Sequence, residues 1–211
     1  DEQKTIQAYR QGRRLVIFDD VDVTMLMERE VDGRTQVMFH IVRAANTKTL
    51  LAIHHEIRVA QSRHPRGFQQ ASVQLYNALP SFVRRIGIWV AARNPSLWKR
   101  FGGTVAVTAV GMFGKGGGWG IPTACNTLDV TVGGIGEKPR LLDGQVVQRE
   151  FLNLTVSVDH DVVDGAPAAR FASRLRELIE SGYGLSQLAL AAADAAAAPA
   201  PLQRSGSLTT P

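Results

Sequence analysis

The sequence has a single cysteine, Cys125, among its 211 residues. No disulfide framework can form within the chain, and no cluster of cysteine and histidine has the spacing of a zinc site, so neither a stapled secreted scaffold nor a metal centre is expected. Long apolar runs are missing too. None approaches the roughly 20 residues of a membrane span, and the opening DEQKTIQAYR has neither the basic flank nor the apolar core of a signal peptide. A reducing, cytoplasmic setting is the expectation. The glycine-rich stretch GMFGKGGGWG, residues 111–120, matches neither GxxxxGK[ST] nor GxGxxG, which excludes a P-loop or a dinucleotide fingerprint. There is no internal repeat, and the first residue is not methionine, which suggests a processed or truncated start.

What is present suits one ordinary globular domain. Hydrophobic residues make up 45% of the chain, enough for a core. The formal charge of +5 favours anionic partners, whether nucleic acid, acidic membrane or phosphate-bearing cofactor, without choosing among them.

RLVIFDD and VDVTMLMERE read as strands, and Asp32-Gly33 before TQVMFHIV reads as a hairpin. In TKTLLAIHHEIRVAQ, Leu50, Ile53, Ile57 and Ala60 form one stripe, which predicts an amphipathic helix over 47–61 capped by Thr47. His54 and His55 on it are read as solvent-facing or interface residues. The basic, aromatic stretch 64–101 contains a helix after Pro80. Its apolar residues Phe82, Val83, Ile86, Trp89 and Val90 are expected to pack on the chain's own domain or a neighbouring subunit, with the arginines solvated; a membrane-surface role for 80–100 rests on composition alone. TVAVTAV is a strand. Strands follow at TLDVTVGGI, at PRLLDGQVVQRE with an Asp143-Gly144 turn, and at FLNLTVSV. GAPAARFASRLRELIESG is a helix from near Pro167, with Phe171, Leu175, Leu178 and Ile179 on its apolar stripe. Residues 185–211, Ala/Pro-rich, are expected to be a flexible, dispensable tail behind a domain of residues 1–184.

The chemistry is expected in DHDVVDGAP, residues 159–167. His160 follows the strand FLNLTVSV and precedes the turn at Asp164 and Gly165 into a helix, a good place for an exposed reactive group. An imidazole titrates near neutrality, so it can take a proton from a hydroxyl or thiol and return it. On spacing alone, the same pattern also suits a polar turn.

GGTVAVTAVGMFG, TVGGIGEKP, LLDGQVV and LNLTVSVDHDVVDGAPAARF together resemble the catalytic domain of the 2-oxo acid dehydrogenase acyltransferases, the dihydrolipoamide acyltransferase components of those complexes. The resemblance is most specific over residues 102–181. It implies an α/β (α+β) fold like that of chloramphenicol acetyltransferase, with a mixed sheet flanked by helices, in trimers or higher assemblies of trimers. It implies acyl transfer between coenzyme A and a thiol such as dihydrolipoamide. His160 would be the general base, Thr108 the hydroxyl donor to the tetrahedral oxyanion across a subunit boundary, and Asp164 the residue holding the site together. Gly165 would let the chain turn. No nucleic acid or metal is called for, and a membrane is not the expected partner.

The chain departs from the family pattern in three ways. Asp161 stands where the family has arginine, and a carboxylate there would favour imidazolium at His160. The opening resembles the middle of the family domain, so the front portion, with an arginine that pairs with the carboxylate at the Asp164 position, is expected to be missing. No lipoyl attachment site is present, so a lipoyl group would come from a separate protein, and 64–101 reads as an insertion. A catalytically inactive trimeric scaffold or partner-binding module of the same fold is the alternative, as is an enzyme acting on a small free acceptor.

Overall fold

The computed structural model describes residues 3–31, 34–62, 78–111, 116–123, 125–186 and 189. A five-stranded mixed sheet organises them, in the order β4-β3-β5-β6-β7. Its strands are β3 (Val23–Val31), β4 (Arg34–Val42), β5 (Val105–Ala109), β6 (Leu128–Leu142) and β7 (Gln145–Val158). A small hairpin of β1 (Tyr9–Gln11) and β2 (Arg14–Val16) stands apart from it. β5 runs parallel to both β3 and β6, while β3–β4 and β6–β7 are antiparallel.

Because side chains alternate across a strand, register decides which residues share a face. Val23, Val105, Leu128 and Val158 lie level across four strands, as do Met25, Val107, Val130 and Val156. Two helices cover this apolar face, α1 (Leu50–Ser62) and α4 (Gly165–Glu180). The core forms where Ile6, Val105, Leu128 and Val163 are buried together, with Val156, Val158 and Phe171 packed against them. Leu175 and Leu178 of α4 lie over the same strands, leaving an apolar cavity of about 490 Å³ against Val105, Val107 and Val130. Glu56 of α1 meets His40 of β4 (3.2 Å), which ties the helix to the sheet, and accepts from Lys48 just before the helix (2.6 Å). Burial alone would raise the Glu56 carboxyl, but hydrogen bonds from Lys48 and His40 outweigh it and hold the group below its ordinary range.

Several boundaries differ from the sequence reading. β2 covers only Arg14–Val16 of RLVIFDD. The strands expected at TLDVTVGGI and PRLL are one strand, β6, that continues through a bulge between Val132 and Ile135. Its hairpin with β7 closes at Asp143 (φ 50°) and Gly144 (φ 78°), the left-handed pair a two-residue turn requires. α1 is capped by Thr49, whose Oγ1 accepts from the Ala52 amide at 3.2 Å. Thr47 instead ends a short 3-10 turn and donates its hydroxyl to the Ala44 carbonyl, so it is no longer free to cap. The β3–β4 register runs from Val31 opposite Arg34, as the hairpin reading requires; Asp32 and Gly33 themselves lie outside the described residues, as does nearly all of 185–211. His54 and His55 are exposed, in keeping with their solvent-facing reading.

The segment 80–101 forms α2 (Ser81–Arg93) and α3 (Pro95–Gly102), joined at Asn94. Asn94 caps α3 through its Oδ1, which accepts from the Ser96 and Leu97 amides. The expected packing of α2's apolar stripe on its own domain is not found. No residue of α2 is buried, and Phe82, Ile86 and Trp89 stand in solvent.

Gly111, Gly117 and Gly120, with Gly133, Gly134 and Gly136 of β6, serve close packing. A Cβ on Gly133 would stand 2.2 Å from the Gly118 carbonyl oxygen, one on Gly111 would meet the Gly133 oxygen at 2.0 Å, and one on Gly134 the Gly116 oxygen at 2.4 Å. Gly134 donates its amide to Gly118 across this contact at 2.9 Å. Backbone lies on backbone here, so no rotamer change can relieve a methyl group. We expect Gly133→Ala to cost about 1–3 kcal/mol as an overpacking strain, read as a melting temperature lower by about 2–4 °C for each kcal/mol. Gly165→Ala, where nothing lies within 4 Å, should leave the melting temperature unchanged in the same scan.

Candidate active site

Asp159 builds the loop that carries His160. Its amide donates to the Thr127 carbonyl at 2.9 Å, tying the end of β7 to the start of β6. Its Oδ1 accepts from the Asp161 amide at 3.0 Å, and its carbonyl accepts from the amides of Val162 (3.0 Å) and Val163 (2.9 Å). An aspartate that accepts from the amide two residues on makes a turn of its own side chain. Val163, 3% exposed, then sinks into the core and fixes the turn from below. His160 is left at the crest, exposed to solvent on a firmly held loop. The two valines between His160 and Asp164 are therefore an anchor as well as a spacer.

Asp164 is the residue before α4, in extended conformation (φ −72°, ψ 164°), and its side chain makes no capping bond. It is exposed, as is Gly165, the first residue of α4. Gly165 does not have a left-handed φ and its surroundings are open, so the turn itself does not demand glycine, contrary to the role expected for it.

Asp161 does not face His160 as a free carboxylate. It pairs with Arg10 of β1, 151 residues earlier in the chain. The arginine of this loop thus comes from the hairpin and engages Asp161, not Asp164. Neither Arg10 nor Asp159 was singled out from the sequence. The Asp-x-Asp start of DHD carries a signal for the turn; nothing in the sequence carries one for Arg10, because the pairing depends on how the hairpin docks.

Both partners are about half exposed or more, so the pair is screened and its effect modest. We expect Arg10→Ala to free the Asp161 side chain and to lower stability by about 0.2–1 kcal/mol, as the loss of one exposed ion pair implies, read as a melting temperature lower by about 4 °C at most. High salt should reproduce part of the loss in the unaltered chain. Asp161→Arg, which restores the residue the resemblance calls for, would set two guanidinium groups against each other unless Arg10 is changed with it.

Thr108 lies on β5, half-buried, level with Thr131 and Thr155. These three point to the sheet face opposite α1 and α4. Thr131 is buried at 1% exposure beneath Gly120, and its hydroxyl has no partner among the described residues. Asp129 is buried nearby, where burial lifts its carboxyl above the ordinary range while the amides of Asn126 and Cys125 pull it partly back. Toward the sheet edge the same face carries Leu26, Val37 and Phe39, all exposed.

One chain does not bring Thr108 and His160 together. Two strand spacings and three residues along β7 put Thr108 about 14 Å from Val158, where β7 ends, and His160 lies beyond that end. Among the described residues no group of histidine, cysteine, aspartate and glutamate could hold a metal ion.

Helices cover one face of a mixed sheet, a histidine is raised at the exit of one strand and a threonine hydroxyl lies on the opposite face of another, and the fold is chloramphenicol acetyltransferase-like. The solved structures agree. A probable dihydrolipoamide acetyltransferase from Listeria monocytogenes superposes with a TM-score of 0.56 at 19% identity, covering 85% of this chain and 64% of that one. A dihydrolipoamide acetyltransferase from Azotobacter vinelandii, in which the catalytic roles of a serine, a histidine and an asparagine were investigated, gives 0.56 at 21% identity, with coverage of 84% and 61%.

Over residues 95–186 the chain matches the family of the 2-oxoacid dehydrogenases acyltransferase catalytic domain. The lipoamide acyltransferase component of the Pseudomonas putida branched-chain alpha-keto acid dehydrogenase complex is 39% identical over 95 residues, 43% of this chain and 22% of that protein. The dihydrolipoyllysine-residue acetyltransferase component of the Zymomonas mobilis pyruvate dehydrogenase complex is 30% identical over 174 residues, 82% of this chain and 33% of that protein. The chain thus spans a third or less of the length of these relatives.

Proposed function

We propose that this chain transfers an acyl group between coenzyme A and a thiol acceptor such as dihydrolipoamide. The observation that carries the reading is the loop 159–164, which holds in solvent, where the half-buried end of β7 leaves the sheet, a histidine with no hydrogen bond among the described residues, inside the family-matched residues. In the proposed reaction the His160 imidazole takes the proton of the attacking thiol, and the thiolate adds to the thioester carbonyl. The tetrahedral oxyanion accepts a hydrogen bond from the Thr108 hydroxyl. Collapse expels the other thiolate, which recovers the proton from the imidazolium. Asp164, immediately before α4, holds the site together in this reading.

Because His160 and Thr108 are too far apart within one chain, the site is completed by a second copy, in a homotrimer or an assembly of trimers. Two observations support this: one structural relative forms the cubic core of a pyruvate dehydrogenase complex, and the face that bears Thr108 exposes Leu26, Val37 and Phe39. The domain proposed is residues 1–184, with coenzyme A as a substrate, a lipoyl group presented by a separate protein, and a cytoplasmic location. Thiol release from acetyl-CoA and longer acyl-CoAs with dihydrolipoamide tests the reading. Turnover with any of them supports it; none across the panel points to the inactive scaffold.

A further inference from the structure

The positive charge of this chain is concentrated in one block. Residues 57–128 contain no aspartate or glutamate and nine lysines and arginines, whereas the rest of the chain sets 15 cations against all 19 carboxylates. A basic block in an otherwise acidic chain marks a surface for an anionic partner.

Helix α2 is where that block meets solvent. Phe82, Ile86, Trp89 and Arg93 follow one another at helical spacing, and the first three are 63%, 57% and 58% exposed. The Arg93 guanidinium sits 3.7 Å above the Trp89 ring, so charge and aromatic surface share the stripe. Val90 beside it is exposed as well, as is Arg85, and so is Ile88 farther round the helix. Val83 and Ala91 are half-buried. The helix is held in place at its C-terminal end, where Tyr9 Oη donates to the Ala92 carbonyl at 2.6 Å and Gln11 Nε2 to the Arg93 carbonyl at 2.9 Å. Past the Asn94 corner, Phe101 is 62% exposed with the Arg100 guanidinium 5.9 Å from its ring, repeating the pairing.

We propose that α2 docks this side of the chain on an anionic phospholipid surface, lying in the plane of the interface. At 13 residues it is too short to cross, and no helix among the described residues is long and apolar enough to do so. An interface accepts every component of the stripe: the aliphatic and Phe side chains enter the acyl boundary, Trp89 sits at headgroup depth, and the arginines meet lipid phosphates. A nucleic acid would use the arginines and aromatics but has no place for Ile86, Ile88 and Val90. A second copy meeting this stripe with its own would oppose arginine to arginine, and a copy meeting it with another surface, as in a closed ring, is the outcome that the sedimentation arm below detects. The inference is independent of the acyltransferase reading.

The full chain, mixed with phosphatidylcholine vesicles with and without phosphatidylglycerol, should co-sediment only with the anionic ones and lose binding as salt rises. Two variants probe the two halves of the stripe: Phe82→Gln/Ile86→Gln/Trp89→Gln and Arg85→Glu/Arg93→Glu. Each should weaken binding by about tenfold or more, with circular dichroism and melting temperature unchanged because the altered side chains are exposed. Equal binding to both kinds of vesicle, no binding to either, or anionic binding that survives both variants would overturn the proposal. So would a chain that ignores vesicles but loses self-association in sedimentation, or loses affinity for an oligonucleotide, when the stripe is altered. If a variant failed to fold, the unmodified chain's preference between the two vesicles would still decide.

Discussion

His160→Ala is expected to abolish acyl transfer and leave the fold intact. The side chain is exposed and makes no hydrogen bond among the described residues, and the loop beneath it is held by Asp159 and the buried Val163, so truncation removes no packing. What it does remove is the only group at the crest of the loop that can take a proton near neutral pH. General-base assistance contributes about a hundred- to ten-thousandfold. The loss should appear in kcat, with little change in melting temperature or in the oligomer. It should also shrink at high pH, where the acceptor thiol ionises without help and the base matters less. A loss that stays constant across pH would point to positioning instead.

Thr108→Val is expected to cost about a hundred- to a thousandfold in kcat, the range typical of one lost oxyanion donor. The exchange keeps the branched shape in a half-buried strand position but removes a hydroxyl, so the melting temperature is read beside kcat to separate any change in stability from the loss of rate. KM for the acyl-CoA should hardly change, because the ground-state thioester carbonyl asks little of the hydroxyl. Thr108→Ser should recover most of the rate. An equal rise in KM in place of a fall in kcat would assign Thr108 to substrate binding.

The parts of this fold legible in the sequence are those set by short-range pattern. Alternation in TVAVTAV, the Asp143-Gly144 turn and the stripe of Phe171, Leu175 and Leu178 each specify an element that forms where the pattern puts it. What was not legible depends on distant packing. TLDVTVGGI and PRLL read as separate strands. They are one, β6, whose Gly133, Gly134 and Gly136 are where backbone 116–118 lies against it, which only glycine allows. Thr47 and Thr49 are equally good caps on paper, and the 3-10 turn that engages Thr47 decides between them.

The candidate site divides in the same way. His160 and Asp164 were found from one local motif, and the loop geometry gives that motif its anchor in Val163. Arg10 was not found, since no spacing rule connects residues 10 and 161, yet it changes the meaning of Asp161 from a charge on the base to one half of an ion pair. The separation of Thr108 from His160 likewise emerged only from strand order and register.

The most direct test of the shared site is complementation between chains that are each inactive. His160→Ala and Thr108→Val chains, unfolded together and refolded in equal amounts, form mixed trimers in which some His160 side chains face an intact Thr108 of the neighbouring copy. With random association in a closed ring, about a quarter of the sites are whole. Thiol release should therefore return to about a quarter of that of the unmodified chain, well above either variant refolded alone. A mixture that assembles into trimers but is no more active than the sum of its two components would contradict an active site built from two copies.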